Sequence, residues 1–433
     1  MIANERTIRL NPYQMLAFRT IGLARDSNKV GLEKTYDAVL KGRNGKQTVR
    51  SIAGGIGVPV DDTYLIEPET GKDIVSTIDV FIQDIAESAL MKMMIQNEAE
   101  NGCAIVLETK TGKVKAIANL GRMSNGTYWE NLNYAITPSE PGSTFKLATL
   151  MALLEDKKVS LNQSVNLENG VWRIAGQTVY DSERHAENIV TVKQAFELSS
   201  NVAMAKMAVT HYANNPNLYL KHLRKMRMDT ITGIDLVGER KPVIHRPGSR
   251  LYGPTTIPWM SFGYNLAISP LHTAMLYNAI ANNGTMMRPY LVSSIKEEGV
   301  LLKDIPPTIL DTQICSPATL AMLKASLEGV CIAGTAKSLF AGTPYKVAGK
   351  TGTALVADGN RGYTNKIYQS SFAGYFPADN PQYTCVVVIK NKPFAPVFYG
   401  ASVAGPVFKE IADRLYSTYI KTNKTLIAGT NKK

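Results

Sequence analysis

Apolar residues recur at helical spacing at Ile78, Phe81, Ile82, Ile85, Ala89 and Leu90, which predicts a helix with Ser76 or Thr77 near its start as the cap. The period then falls to two. Residues 103–108 and 113–119 alternate and are joined by Thr109-Lys110-Thr111-Gly112, the pattern of a β-hairpin. The apolar run 147–154 follows Glu140-Pro141-Gly142-Ser143-Thr144-Phe145-Lys146, and nothing breaks a helix before Asp156. Pro141 and Gly142 punctuate its start, so Ser143 is expected on the first turn of that helix.

Residues 166–190 mix short strands and loops. Residues 192–197 and 202–210 read as two helical pieces interrupted by Leu198-Ser199-Ser200-Asn201. A further helix is signalled by Ser269 as N-cap, Pro270 in the first turn, apolar residues from 271 to 283 and Gly284 past the end. Three strand-like runs, 346–356, 368–376 and 383–390, precede a terminal helix over 404–419. Two strands, many helices, then three strands and a helix imply an α+β domain with an antiparallel sheet.

Composition narrows this picture. At 433 residues, 45% hydrophobic and 19% charged, the chain can bury a large core. Residues 1–72 differ: they are rich in Gly, Lys, Arg and Asp, hold short strand-like pieces such as 62–66, and offer too little core for an independent domain. The stretch 67–72 reads as a linker, residues 73–420 as the main domain, and 421–433 as a disordered tail. No run approaches 18 apolar residues and the start lacks a signal-peptide pattern, so the chain as given is expected to be soluble.

The net charge of +12 raises nucleic acid as a partner, but the basic residues are spread out. Their densest cluster, 221–227, is interleaved with Leu and Met, so they read as solvated faces and no nucleic-acid partner is expected. Cys103, Cys315, Cys331 and Cys385 form no C-x-x-C, and the histidines lack ligand spacing. Free buried thiols, no metal and no cofactor are the expectation.

Candidate chemistry lies in three short motifs. Ser143 and Lys146 share one helix face, so the amine can take the proton of a serine nucleophile. Ser199-Ser200-Asn201 follows between two helices, and Lys350-Thr351-Gly352-Thr353 falls in a strand. Isolated copies of such motifs occur elsewhere. Ser293-Ser294-Ile295-Lys296 lies in a strand-like run, and Lys110-Thr111-Gly112 forms the hairpin turn. Gly349-Lys350-Thr351 is not a P-loop, because Pro344 stands where that loop needs Gly and a strand continues after it. Order, spacing and local structure together match the S-x-x-K, S-x-N and K-T-G signature of penicillin-binding proteins and β-lactamases.

With these motifs, residues 76–90, 140–146, 259–284 and 347–354 make the chain resemble a class B penicillin-binding protein, a monofunctional peptidoglycan transpeptidase. Residues 18–42 resemble the end of that family's N-terminal pedestal, and residues 117–122 its division-associated branch. The resemblance implies an antiparallel five-stranded sheet flanked by helices. It also implies a periplasmic location on the inner membrane, through an N-terminal anchor that lies outside this chain. The implied partners are peptidoglycan stem peptides, β-lactams, a membrane glycosyltransferase and division proteins.

By the same resemblance Ser143 attacks the bond between two D-alanines, forming an acyl-enzyme that an amine resolves into a cross-link. Ser199 relays a proton, Asn201 orients the substrate amide, and Thr351 and Thr353 bind its carboxylate beside Gly352. The backbone N–H groups of Ser143 and Thr353 hold the oxyanion. Lys146 must be substantially neutral, and lowering a lysine from about 10.4 to about 7 requires roughly 4–5 kcal/mol. Burial contributes, and Lys350 is the expected neighbouring cation that makes it easier. Trp259 and Tyr264 are expected in core packing rather than in the cleft.

Two other readings compete. A serine β-lactamase needs a built-in base for deacylating water, and spacing alone assigns no glutamate to that role. A β-lactam-sensing domain would be acylated without turnover. The pedestal-like first 72 residues argue against both.

Overall fold

The computed structural model describes residues 10–25, 28–54, 56–356 and 364–421. The tail expected to be disordered therefore lies outside the described residues, apart from Lys421. Labels below are given to the elements that build the site.

Helix α1 (Val80–Asn97) is followed by the hairpin β1 (Asn101–Glu108) and β2 (Val114–Arg122), and by a two-residue strand β3 (Tyr128–Trp129). The helices α2 (Lys146–Glu155), α3 (Val192–Glu197), α4 (Asn201–Tyr212), α5 (Pro270–Ala281) and α6 (Pro317–Ile332) come next. Strands β4 (Ala348–Val356), β5 (Ile367–Phe376) and β6 (Tyr383–Lys390) and helix α7 (Ala404–Leu415) close the domain. The strand order is β4-β5-β6-β1-β2-β3, every pairing antiparallel. The sheet is thus α+β as expected but has six strands rather than five, because Gly121 and Arg122 of β2 pair with Trp129 and Tyr128.

Helix α1 packs on β1 and β2 and against α7; α5 crosses β5, β6 and β1, and α6 lies along β4. Alternate residues of β1, β2, β5 and β6 are buried along with those between them, as expected for a sheet covered by helices. The helix that opens just after Ser143 is buried on all sides: every residue from Lys146 to Leu154 is buried. That placement explains its unbroken apolar run.

The cap of α1 is neither Ser76 nor Thr77. Asp79 accepts from the N–H groups of Phe81 and Ile82 at 3.1 and 3.3 Å. Ser76 ends a strand, Asp73–Ser76, that pairs with Val292–Glu297, and the Thr77 hydroxyl donates to Val114 and Tyr290 carbonyls. Phe81, expected inside, is 74% exposed.

All four cysteines are free and buried, and burial pushes the thiols of Cys103 and Cys331 up to about 12. Cys103 pairs with Val388 and Cys385 with Val106, so the two sit three registers apart on neighbouring strands. No helix among the described residues is long and apolar enough to cross a membrane.

Candidate active site

Ser143 lies on a 3-10 turn, Gly142–Phe145, that runs directly into α2. Gly142 has φ +57, and a Cβ there would come within 2.9 Å of the Ala354 side chain on β4, so the turn needs glycine twice over. Its N–H donates to the Gly263 carbonyl at 3.1 Å, and Tyr277 of α5 donates to the Thr144 carbonyl at 2.9 Å. Held this way, Ser143 is 8% exposed and lines a cavity of about 190 Å³.

Lys146 is inaccessible, and its amine donates to the Ser199 carbonyl and, at 3.1 Å, to the Ser199 hydroxyl. Among the described residues it makes no hydrogen bond to Ser143. Burial lowers Lys146 to about 7, while the negative charge of Asp181 works against that shift. Burial first and the Lys146 charge second hold Lys350 well below the usual lysine range, and because that repulsion is mutual each buried amine disfavours the other's charge. The Lys350 amine donates to the Thr351 carbonyl at 3.2 Å and lies 5.7 Å above the Phe196 ring of α3.

Ser199 follows α3 with φ +60, a left-handed conformation that costs a non-glycine residue about 1 kcal/mol or more. Ser200 then caps α4, accepting from the Ala203 N–H at 3.0 Å. The segment is fixed by Asp181, which sequence reasoning missed. Its carboxylate accepts from the Ser200 hydroxyl at 2.8 Å and from the N–H groups of Asn201 and Val202 at 2.6 and 2.9 Å. It also meets His185 Nε2 at 3.0 Å. These donors and the Lys146 charge hold its carboxyl below the usual range despite burial.

Strand β4 is an edge strand, so alternate N–H groups lie outside the ladder and remain available as donors. Thr351 and Thr353 both line the cavity with Ser143 and Ser199. Gly352 keeps the strand close: a Cβ there would lie 2.2 Å from the Ser371 hydroxyl and 3.1 Å from the Thr144 methyl. Glu183, His185 and Thr335 also line it, three residues whose surrounding sequence gives no period or motif to reveal them.

Asn201 sits elsewhere. Its side-chain amide donates to the Tyr180 carbonyl at 2.7 Å and borders a second cavity of about 410 Å³. That cavity shares Ser182, Thr353 and Tyr399 with the first and is walled by Trp259, Phe262, Tyr264, Tyr368 and Phe398. Trp259 and Tyr264 thus line the cleft as well as packing on Phe262, and the Tyr264 hydroxyl accepts from the Leu355 N–H at 2.8 Å. The isolated motif copies stay remote: Ser293 and Lys296 lie in the strand paired with residues 73–76, and Lys110-Thr111-Gly112 turns the β1–β2 hairpin.

Residues 102–413 match the family model described as the penicillin binding protein transpeptidase domain. The chain is 29% identical to peptidoglycan D,D-transpeptidase FtsI of Escherichia coli over 94% of its length, and 28% identical to stage V sporulation protein D of Bacillus subtilis over 98%. It spans 66% of each of those relatives. The crystal structure of penicillin binding protein 3 from Mycobacterium tuberculosis is similar with a TM-score of 0.79 and 27% identity, covering 95% of this chain and 90% of that one. That protein has also been solved with aztreonam and with ampicillin. With nearly three quarters of its length inside the family model, the chain belongs to the penicillin-binding protein transpeptidase family.

Proposed function

We propose that the chain is a peptidoglycan D,D-transpeptidase of the class B, division-associated type, acylated and inhibited by β-lactams. The observation that carries this is the meeting of Ser143, Ser199, Thr351 and Thr353 in one cavity, with Lys146 buried behind it on the Ser199 hydroxyl. The names of the relatives and the β-lactam complexes of the mycobacterial protein support the same reading.

In this mechanism Ser143 Oγ attacks the carbonyl carbon of the penultimate D-alanine. Its proton passes through the Ser199 hydroxyl to the neutral Lys146 amine. The oxyanion is held by the N–H groups of Ser143 and Thr353; losing one such donor typically costs ~10²-fold. As the C–N bond breaks, the leaving D-alanine nitrogen takes a proton back from Ser199. An acceptor amine then attacks the ester, an amide forms, and Ser143 recovers its proton. Lys350 and Gly352 shape the cavity from β4, Thr351 and Thr353 hold the substrate carboxylate, and Asn201 orients the substrate amide from the second cavity. Residues 1–72 serve as the remnant of a pedestal beneath a transpeptidase domain over 73–420. The full-length protein works at the periplasmic face of the inner membrane with a glycosyltransferase and division proteins.

One observation favours a rival. Glu183 stands at the rim of the cavity, where a β-lactamase would keep a base for water. Both readings are separated by incubating the protein with benzylpenicillin and following the adduct by mass spectrometry. The transpeptidase reading expects a long-lived adduct on Ser143 and none on S143A. Hydrolysis within seconds that E183Q abolishes would replace it with the β-lactamase reading.

A further inference from the structure

Three threonines line the first cavity, and only Thr351 and Thr353 belong to β4. Thr335 comes from the turn after α6, and its Oγ1 lies 2.6 Å from Thr351 Oγ1. Its N–H donates at 3.2 Å to the carbonyl of Glu197, the last residue of α3 and two before Ser199. The preceding Gly334 is pressed on that same carbonyl: a Cβ there would sit 2.4 Å from it. Thr335 therefore spans the segment that carries Ser199 and the strand that carries Lys350.

The hydroxyl count follows from this arrangement. A threonine offers one proton and two lone pairs. In the Thr335–Thr351 pair one proton lies between the two oxygens, and the other is left for a third group. The Thr353 oxygen accepts from the Gly400 N–H at 3.0 Å, which leaves its own proton free. The cavity thus receives two O–H donors side by side. Among the described residues no lysine or arginine lines it, and its one basic ring, His185, is bonded to Asp181. Among the side chains that line it, an anion entering this cavity meets hydroxyl protons rather than a fixed positive charge.

We propose that Thr335 is a specificity-determining residue, pairing with Thr351 to form a hydroxyl socket for the terminal carboxylate of the donor peptide. The pairing fixes the Thr351 rotor, and the tie to Glu197 holds the socket in register with Ser199. This rests on the transpeptidase reading and adds to it a residue outside all three motifs.

The test compares two thioester donors, one ending in a D-alanine-like carboxylate and its match ending in a carboxamide, in single-turnover acylation of the whole chain. Thr335→Val keeps the shape and removes the hydroxyl. It should lose about tenfold or more in acylation by the carboxylate donor, as expected for a hydrogen bond to a charged group, with the loss in the donor concentration that gives half the limiting rate rather than in the limiting rate itself. The carboxamide donor should change by about twofold or less. Thr335→Ser should restore the carboxylate rate. Equal losses with both donors, or no loss with either, would overturn the socket. Failure of the unmodified chain to be acylated by either donor would instead overturn the transpeptidase reading, and the socket with it.

Discussion

Lys146 is the residue on which the pH response turns. Burial holds it at about 7, so the neutral amine becomes the major form as pH rises through that value, and acylation should show an acid limb there. Asp181 raises Lys146 by its charge. Replacing it in Asp181→Asn removes that charge, so the limb should move to lower pH even if the plateau falls. Penicillin acylation rates between about pH 5 and 9 check this; a limb that stays in place would leave Asp181 a purely geometric part. The local placements of Ser143, Lys146, Ser199 and Lys350 were legible in the sequence, because each sits at a fixed offset in a helix start, an interhelical turn or a strand. Asp181, Glu183, His185 and Thr335 were not. They reach the two cavities from turns whose polar residues carry no period, and only the tertiary fold brings them there.

At the scale of elements, the buried Glu130 acts as a clasp. Its carboxylate accepts from the Asn119 N–H of β2 and from the Arg19 N–H of the first short helix, each at 2.8 Å. Glu87 of α1 accepts from the neighbouring Ala17 N–H at 3.4 Å. Burial, reinforced by the Glu87 charge, pushes Glu130 up to about 8. A carboxyl raised in the folded state contributes stability that is complete below the usual value near 4.3 and is lost as pH rises through about 8. Glu130→Ala should therefore cost about 1–3 kcal/mol at pH 6, from the N–H groups left unpaired. The cost should be smaller at pH 9, as read by denaturant unfolding; equal costs would contradict the clasp. Helix and strand existence was readable from periodicity, but not which polar residue ends an element. Asp79 caps α1 because Ser76 and Thr77 are already committed to the neighbouring strand and hairpin.

Across the whole molecule, the described residues up to Ser76 are stitched to the main domain rather than merely preceding it. Besides the clasp, the Tyr36 hydroxyl donates at 2.9 Å to Asp235, whose carboxylate also takes the N–H groups of Leu291 and Val292 at 2.6 and 3.0 Å. Leu32 is buried in the main core, and the strand Asp73–Ser76 completes a sheet with Val292–Glu297. A chain starting at Asp73 would take the Arg19 N–H from Glu130 and the Tyr36 hydroxyl from Asp235, and would uncover the core around Leu32. It should melt lower, by roughly 1–2 °C for each kcal/mol lost in a domain of this size. Thermal melts of the two chains check this, and an unchanged midpoint would mean that the early segment only rests on the surface.

The pressure of Gly334 on the Glu197 carbonyl has a consequence for drug tolerance. A methyl group there cannot be accommodated without pushing the end of α3, and with it Ser199, away from the Thr351 strand. On the transpeptidase reading, sensitivity to a β-lactam can therefore change through a substitution at Gly334, which does not itself line the cavity.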